Sequence, residues 1–155
     1  MKWKLPPKVK VYEALGAIAD ERVEISGNQA KVFSSSGGKY YEVVYDPQTK
    51  QIAANDNGSY WRGYLGYPAI AFLMLNGLLA FDEKLAQLLR GIKWKDINQS
   101  FENDFAKTEN YLAEFVTKNG GDFRQHSDFA DKIMTSLDRL TLGKPSILKK
   151  PPTGY

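Results

Sequence analysis

Residues 69–81 form the longest apolar run of the chain, broken only by Asn76 and Gly77. A helix that crosses a bilayer needs roughly 20 apolar residues. This shorter run is therefore expected to be a core helix, apolar nearly all round and covered by the rest of the protein. Pro68 suits its first turn, where a helix leaves backbone N–H groups unpaired anyway. The N-terminal sequence MKWKLPPKVK is basic and lacks the apolar stretch of a signal peptide. The expectation is a soluble, cytoplasmic protein.

The cover must come from the flanking segments. Upstream, Val23 and Ile25 alternate with Arg22 and Glu24, and Gly27-Asn28 marks a turn before a second strand at 30–34. The Gly/Ser-rich turn 35–38 leads into KYYEVVY at 39–45, a β-prone run that could be buried on both faces. Asp46-Pro47 then sets another turn, since proline fixes φ for its second position. Residues 51–54 make a fourth short strand. So small a meander cannot stand alone and needs helices on one face.

Helical spacing supplies them. Val11, Leu15 and Ile18 fit a short amphipathic helix over 9–19, and Phe81, Leu85, Leu88 and Leu89 a second over 81–90. Phe101, Phe105, Leu112 and Phe115 place a long helix at 98–118, stopped by Asn119-Gly120-Gly121. Asp122 with Gln125 resembles a capping box for a last helix whose inward stripe is Phe129, Ile133, Leu137 and Leu140. The fold class is α+β: a short antiparallel meander of three to four strands packed on a central apolar helix, followed by a helical hairpin. The chain divides into a basic arm (1–8), one domain (9–143) and a basic, proline-rich tail (144–155). Within the domain, 9–91 holds the sheet and core helices and 92–143 an acidic helical hairpin.

With no cysteine in 155 residues, disulfides and thiolate metal sites are excluded, and the single histidine, His126, cannot build a histidine-rich zinc site. No cofactor and no metal is expected. The net charge of +3 is uneven. Seven of the 21 cations lie in 1–10 and 144–155, which carry no acid, so the body between holds 14 cations against 18 acids. Basic ends on an acidic body are not the clustered basic face that a general polyanion binder displays.

Function is sought first in the loop 55–67. Tyr60, Trp61, Tyr64 and Tyr67 with Arg62 have the composition of a binding hot spot, and Asn55 and Asp56 can hold a tight turn by local hydrogen bonds. Asp56 and Arg62 could fix a polar ligand between aromatic walls. In the rival account the aromatics fold back to complete the core, and burial of Trp61 decides between the two. His126 has no identifiable nucleophile beside it, so no catalytic residue is assigned. The acids of the last two helices match no metal-binding motif. The Ser34-Ser35-Ser36-Gly37-Gly38 turn is weak as a phosphate loop because it joins two strands.

Residues 30–75 resemble, distantly, the SWIM module, in which a strand pair precedes a C-x-C and a C-x-H opens an apolar helix. Tyr40-Tyr41-Glu42-Val43 matches the strand, residues 53–55 fall at the first cysteine pair, and Tyr67-Pro68-Ala69-Ile70-Ala71-Phe72-Leu73 resembles the helix start. Not one metal ligand is kept, so the resemblance implies no zinc. It implies instead that the loop aromatics organise the junction in the metal's place, and that the partner is DNA or protein. The expected function is a non-enzymatic binding module that contacts a protein, or alternatively a nucleic acid, through Asn55, Asp56, Tyr60, Trp61, Arg62, Tyr64 and Tyr67. The alternative is a small-ligand binder or enzyme with a pocket around Asp56, Arg62 and Tyr64, joined by His126. No membrane partner is expected.

Overall fold

The computed structural model describes residues 1–153. Four strands, β1 (Val23–Ser26), β2 (Gln29–Phe33), β3 (Tyr40–Asp46) and β4 (Gln51–Ala54), form one antiparallel sheet in the order β1-β2-β3-β4. The β1–β2 hairpin closes over Gly27-Asn28, where Gly27 takes a left-handed φ of 60° that side-chain-bearing residues resist. Register then assigns the faces, because residues directly opposite across an antiparallel pair share one side. Val23, Val32 and Tyr41 face the core together, as do Ala30, Val43 and Ala54, while Ile25, opposite Ala30 on the edge strand, stays 41% exposed.

Helix α2 (Tyr67–Leu75) lies across that face and touches all four strands. It is the central apolar helix expected from the sequence, with residues 68–74 all buried. The run 69–81, however, is helical only as far as Leu75: Asn76 caps the helix, Gly77 takes a left-handed φ of 90°, and Leu75 and Leu78 are exposed. Helix α1 (Val9–Ala19) packs on it and is buried well beyond one stripe, because α3 (Glu83–Gln87) and α6 (Phe123–Leu140) cover its other sides. Gly16 permits a further close approach. A β-carbon there would lie 2.6 Å from the Trp94 indole nitrogen, so the glycine makes room for α4 (Trp94–Ser100).

Several local expectations are corrected. The run 39–45 is buried on one face only, since Tyr40 and Val44 stay 41% and 47% exposed. Among the described residues no helix or second sheet covers the sheet's other side, which keeps the ordinary inside–outside alternation of a two-layer fold. The helix expected over 98–118 is two helices, α4 and α5 (Phe105–Lys118). Glu102 and Asn103 adopt left-handed φ values between them, and the Asp104 side chain caps α5 by accepting from the N–H groups of Ala106 and Lys107. The buried stripe of α5 is Thr108, Leu112 and Val116, with the phenylalanines at its margins. The helix expected over 81–90 is regular only at Glu83–Gln87.

Both ends of the chain are stitched to the domain. The Trp3 indole N–H donates to Ile52 O (2.9 Å), and the Lys4 N–H to Gly63 O (3.0 Å). The Lys144 N–H donates to Met1 O (2.8 Å), while Gly143 bonds Lys50 and Ile52 through its backbone. Farther along, Lys149 pairs with Glu42, and Lys150 O accepts from the Asn55 amide (3.3 Å). No described helix is long and apolar enough to cross a membrane.

Candidate functional site: a cleft beside the aromatic loop

The loop 55–67 does two jobs with two sets of residues. Its first half is a brace. Asp56 is 6% exposed, and its carboxylate accepts from the Ser59 hydroxyl (2.6 Å) and the Ser59 N–H (3.2 Å). The Ser59 hydroxyl oxygen in turn accepts from the Gly66 N–H (3.2 Å), which ties the loop's start to the beginning of α2. Gly66 cannot carry a side chain, because a β-carbon would fall 1.9 Å from an Asp56 carboxylate oxygen. Between these anchors, Gly58–Arg62 winds as a single π-helical turn that ends at Gly63, with φ of 75°. Such turns gather at functional sites.

The middle of the loop faces outward. Trp61 is 69% exposed, and the Tyr60 ring meets it edge-on at 4.7 Å. Arg62 is exposed and pairs with neither Asp56 nor any other acid among the described residues. The account in which these aromatics complete the core therefore fails at Trp61. It holds for Tyr67, whose ring packs edge-on against Tyr41 and under the Arg22 guanidinium. Burial raises the pKa of Tyr67, and it pushes Tyr41 up to about 12, with Asp56 adding to the shift.

Beside the loop opens a cleft of about 1040 Å³. Asp56, Trp61, Arg62, Tyr64 and Tyr67 line it, whereas Asn55 and Tyr60 do not. Asn55 is buried, its carbonyl accepting from the Glu42 N–H (2.7 Å) and its amide donating to Lys150 O, so its role is to hold strand and tail in place. His126 is not part of the cleft either. It sits fully buried on α6, stacked on Phe123, with Nε2 2.9 Å from Leu85 O. Burial lowers its pKa against the pull of that carbonyl, which fits a neutral ring with the proton on Nε2. The joint pocket of Asp56, Arg62, Tyr64 and His126 thus loses its histidine.

The opposite wall comes from residues that sequence reasoning passed over. Lys10 Nζ donates to a Glu13 carboxylate oxygen (3.0 Å), and the Asn98 amide donates to the other (2.7 Å). Glu13 is 2% exposed and links α1 to α4 through these bonds. Burial works against the Lys10 ammonium, but Glu13, with Tyr64 and Asp56 adding to it, outweighs burial and leaves its pKa raised. The Ser34–Ser36 turn, Lys39 and Lys95 also line the cleft, as do Trp94, Phe105 and the exposed acid Glu102, and the Ser35 hydroxyl accepts from the Lys95 N–H (3.1 Å). One local signal could have found Glu13: an acid in the middle of a helix whose neighbours are almost all apolar needs a partner. Asn98 as that partner, 85 residues on, carries no such signal.

The family described as uncharacterised conserved protein UCP014422 matches residues 3–143. The chain belongs to that family. No curated protein and no solved structure matches the chain. The matched span takes in the loop and every residue that lines the cleft. Among the described residues, no group of histidine, cysteine, aspartate and glutamate side chains is placed to hold a metal ion.

Proposed function

We propose that this family member is a binding module that receives an extended, anionic segment of another macromolecule in the cleft beside the aromatic loop. One observation carries the reading. A single large cleft brings Lys10, Lys39, Arg62 and Lys95 together with Tyr64, and Trp61 stands exposed at its rim. Exposed tryptophan and arginine side by side are the residue types that dominate binding energy at interfaces. Binding is favoured over catalysis because both buried carboxylates are engaged, Glu13 by Lys10 and Asn98 and Asp56 by Ser59, and the third acid of the lining, Glu102, lies exposed to solvent in the connection between α4 and α5. A general acid or base would need a proton-transfer group free to meet a substrate.

The test is a titration of the protein with oligoglutamate and, separately, with oligothymidylate, followed by tryptophan fluorescence. At least one should bind, and W61A/R62A should lose that binding while its unfolding midpoint in urea stays within the small range of surface substitutions, about 0.5 kcal/mol. Failure of both probes, or a large loss of stability in W61A/R62A, would sink the reading.

A further inference from the structure

We infer that the two ends of the chain and the loop tip form one basic, aromatic surface that binds single-stranded nucleic acid. The inference rests on the binding reading of the cleft and names its partner. In sequence the lysines of the ends look scattered, more than 130 residues apart. The fold brings them together at Gly63. Lys4 bonds its carbonyl, residues 4 and 64 pair as a parallel bridge, and Lys2 pairs with Gly143. The Lys144 ammonium reaches the same spot, since a β-carbon on Gly63 would lie 3.6 Å from it. Arg62 and Trp61 precede that glycine directly. Lys2, Lys4, Arg62 and Lys144 form no ion pair among the described residues, whereas Lys8, Lys10 and Lys149 each do. The one acid lining the shallow pocket behind the arm is Asp138, and it pairs with none of them.

Aromatic rings are interleaved with these charges. Lys144 lies over the Trp3 ring at 5.1 Å, and the edge-on Tyr60 props Trp61 so that much of its indole stays open to solvent. A phosphate backbone supplies the regularly repeated negative charge that such a row of cations fits. Unpaired bases supply flat faces for Trp61, with little preference for sequence. An acidic peptide would satisfy the lysines but offers nothing to stack. A duplex hides its base faces.

The decisive measurement is fluorescence anisotropy of labelled oligothymidylate and oligouridylate across a salt series, with oligoglutamate and heparin as competitors. Each phosphate neutralised in a single strand contributes a slope of about −0.7 in log K against log salt, so Lys2, Lys4, Lys144 and Arg62 together predict about −2.8. K4E/K144E should weaken binding and bring the slope to about −1.4; K4Q/K144Q should do the same without placing new charge beside the loop. W61A should weaken binding roughly 5- to 100-fold, the loss of one stacked base, and leave the slope unchanged. Absence of strand binding at low salt overturns the inference. So does binding that ignores W61A, or that heparin abolishes with equal effect on W61A and the parent protein, because charge alone would then explain it. Tight, Trp61-dependent binding of oligoglutamate in place of the strands would overturn the nucleic-acid assignment and leave the cleft reading intact.

Discussion

Two carboxylates lie almost equally buried at one cleft, and they are held in opposite ways. Glu13 is satisfied from a distance, by Lys10 one helical turn away on α1 and by Asn98 on α4 across the cleft. Asp56 is satisfied by its own loop, through the Ser59 hydroxyl and N–H. Glu13 therefore fastens one element to another, while Asp56 shapes the element it belongs to. A buried ion pair is weak evidence for stability in itself, but breaking one leaves an uncompensated charge. At Asp56 burial outweighs the Ser59 hydrogen bonds and the pull of Lys10, and raises the pKa. The same burial thus makes one acid a clamp and the other a pH-sensitive brace.

The comparison breaks most visibly at Glu13. E13A should destabilise the fold by about 3 kcal/mol, since the largely buried Lys10 ammonium and the Asn98 amide lose their shared acceptor. Urea unfolding measures it. A K10M/E13A double variant should recover part of the loss, because removing both partners avoids the orphaned charge. Equal instability in the double variant would show that Glu13 acts through packing, and that the clamp description is wrong.

Legibility in the sequence follows the same division between local and distant satisfaction. The meander, its turns and the core helix α2 were readable because hydrophobic period, Gly27-Asn28 and Pro68 are local signals. Asp56 was found for the same reason, its partner being three residues away. The break at 102–103 was missed because Phe101, Phe105 and Leu112 keep helical spacing across it, and only two left-handed residues and the Asp104 cap betray it. The far wall of the cleft was missed for a deeper reason. Lys10, Glu13, Ser35, Lys39, Lys95 and Asn98 come from α1, the β2–β3 connection and α4, and no periodicity brings such residues together. The charge of the two ends was visible, but their meeting at Gly63 depends on backbone bonds between segments at opposite ends of the sequence.

On the other side of the cleft, G66A tests the local brace. The alanine β-carbon would stand where an Asp56 oxygen is, so either the carboxylate leaves Ser59 or the start of α2 shifts. Overpacking of this kind costs about 2 kcal/mol. The loss should be confined to the loop, with hydrogen exchange rising at Ser59 and Gly66 while β1 and β2 stay protected. Exchange that rises throughout the sheet would mean that the loop is integral to the core and not a separate brace.

The smallest effect is the pH dependence of the local brace at Asp56. Burial raises the pKa of Asp56, and the Ser59 hydrogen bonds and Lys10 only partly oppose it. The folded protein therefore holds this proton more tightly than the unfolded chain does, whose carboxyl titrates near 3.8. Stability from this group is complete below that value and is lost as pH rises through the folded pKa. D56N keeps the shape of the protonated acid but cannot accept from Ser59 with its amide nitrogen, a cost of about 1 kcal/mol in acid. As pH rises, the parent should lose that advantage over D56N, and the difference should level off once Asp56 is ionised in the folded state. Unfolding both proteins in urea at a series of pH values cancels the titrations that they share. A parent-minus-variant difference that stays flat, or grows with pH, would mean that Asp56 is stabilised as a carboxylate by its Ser59 hydrogen bonds, and that it is not a pH-sensitive brace.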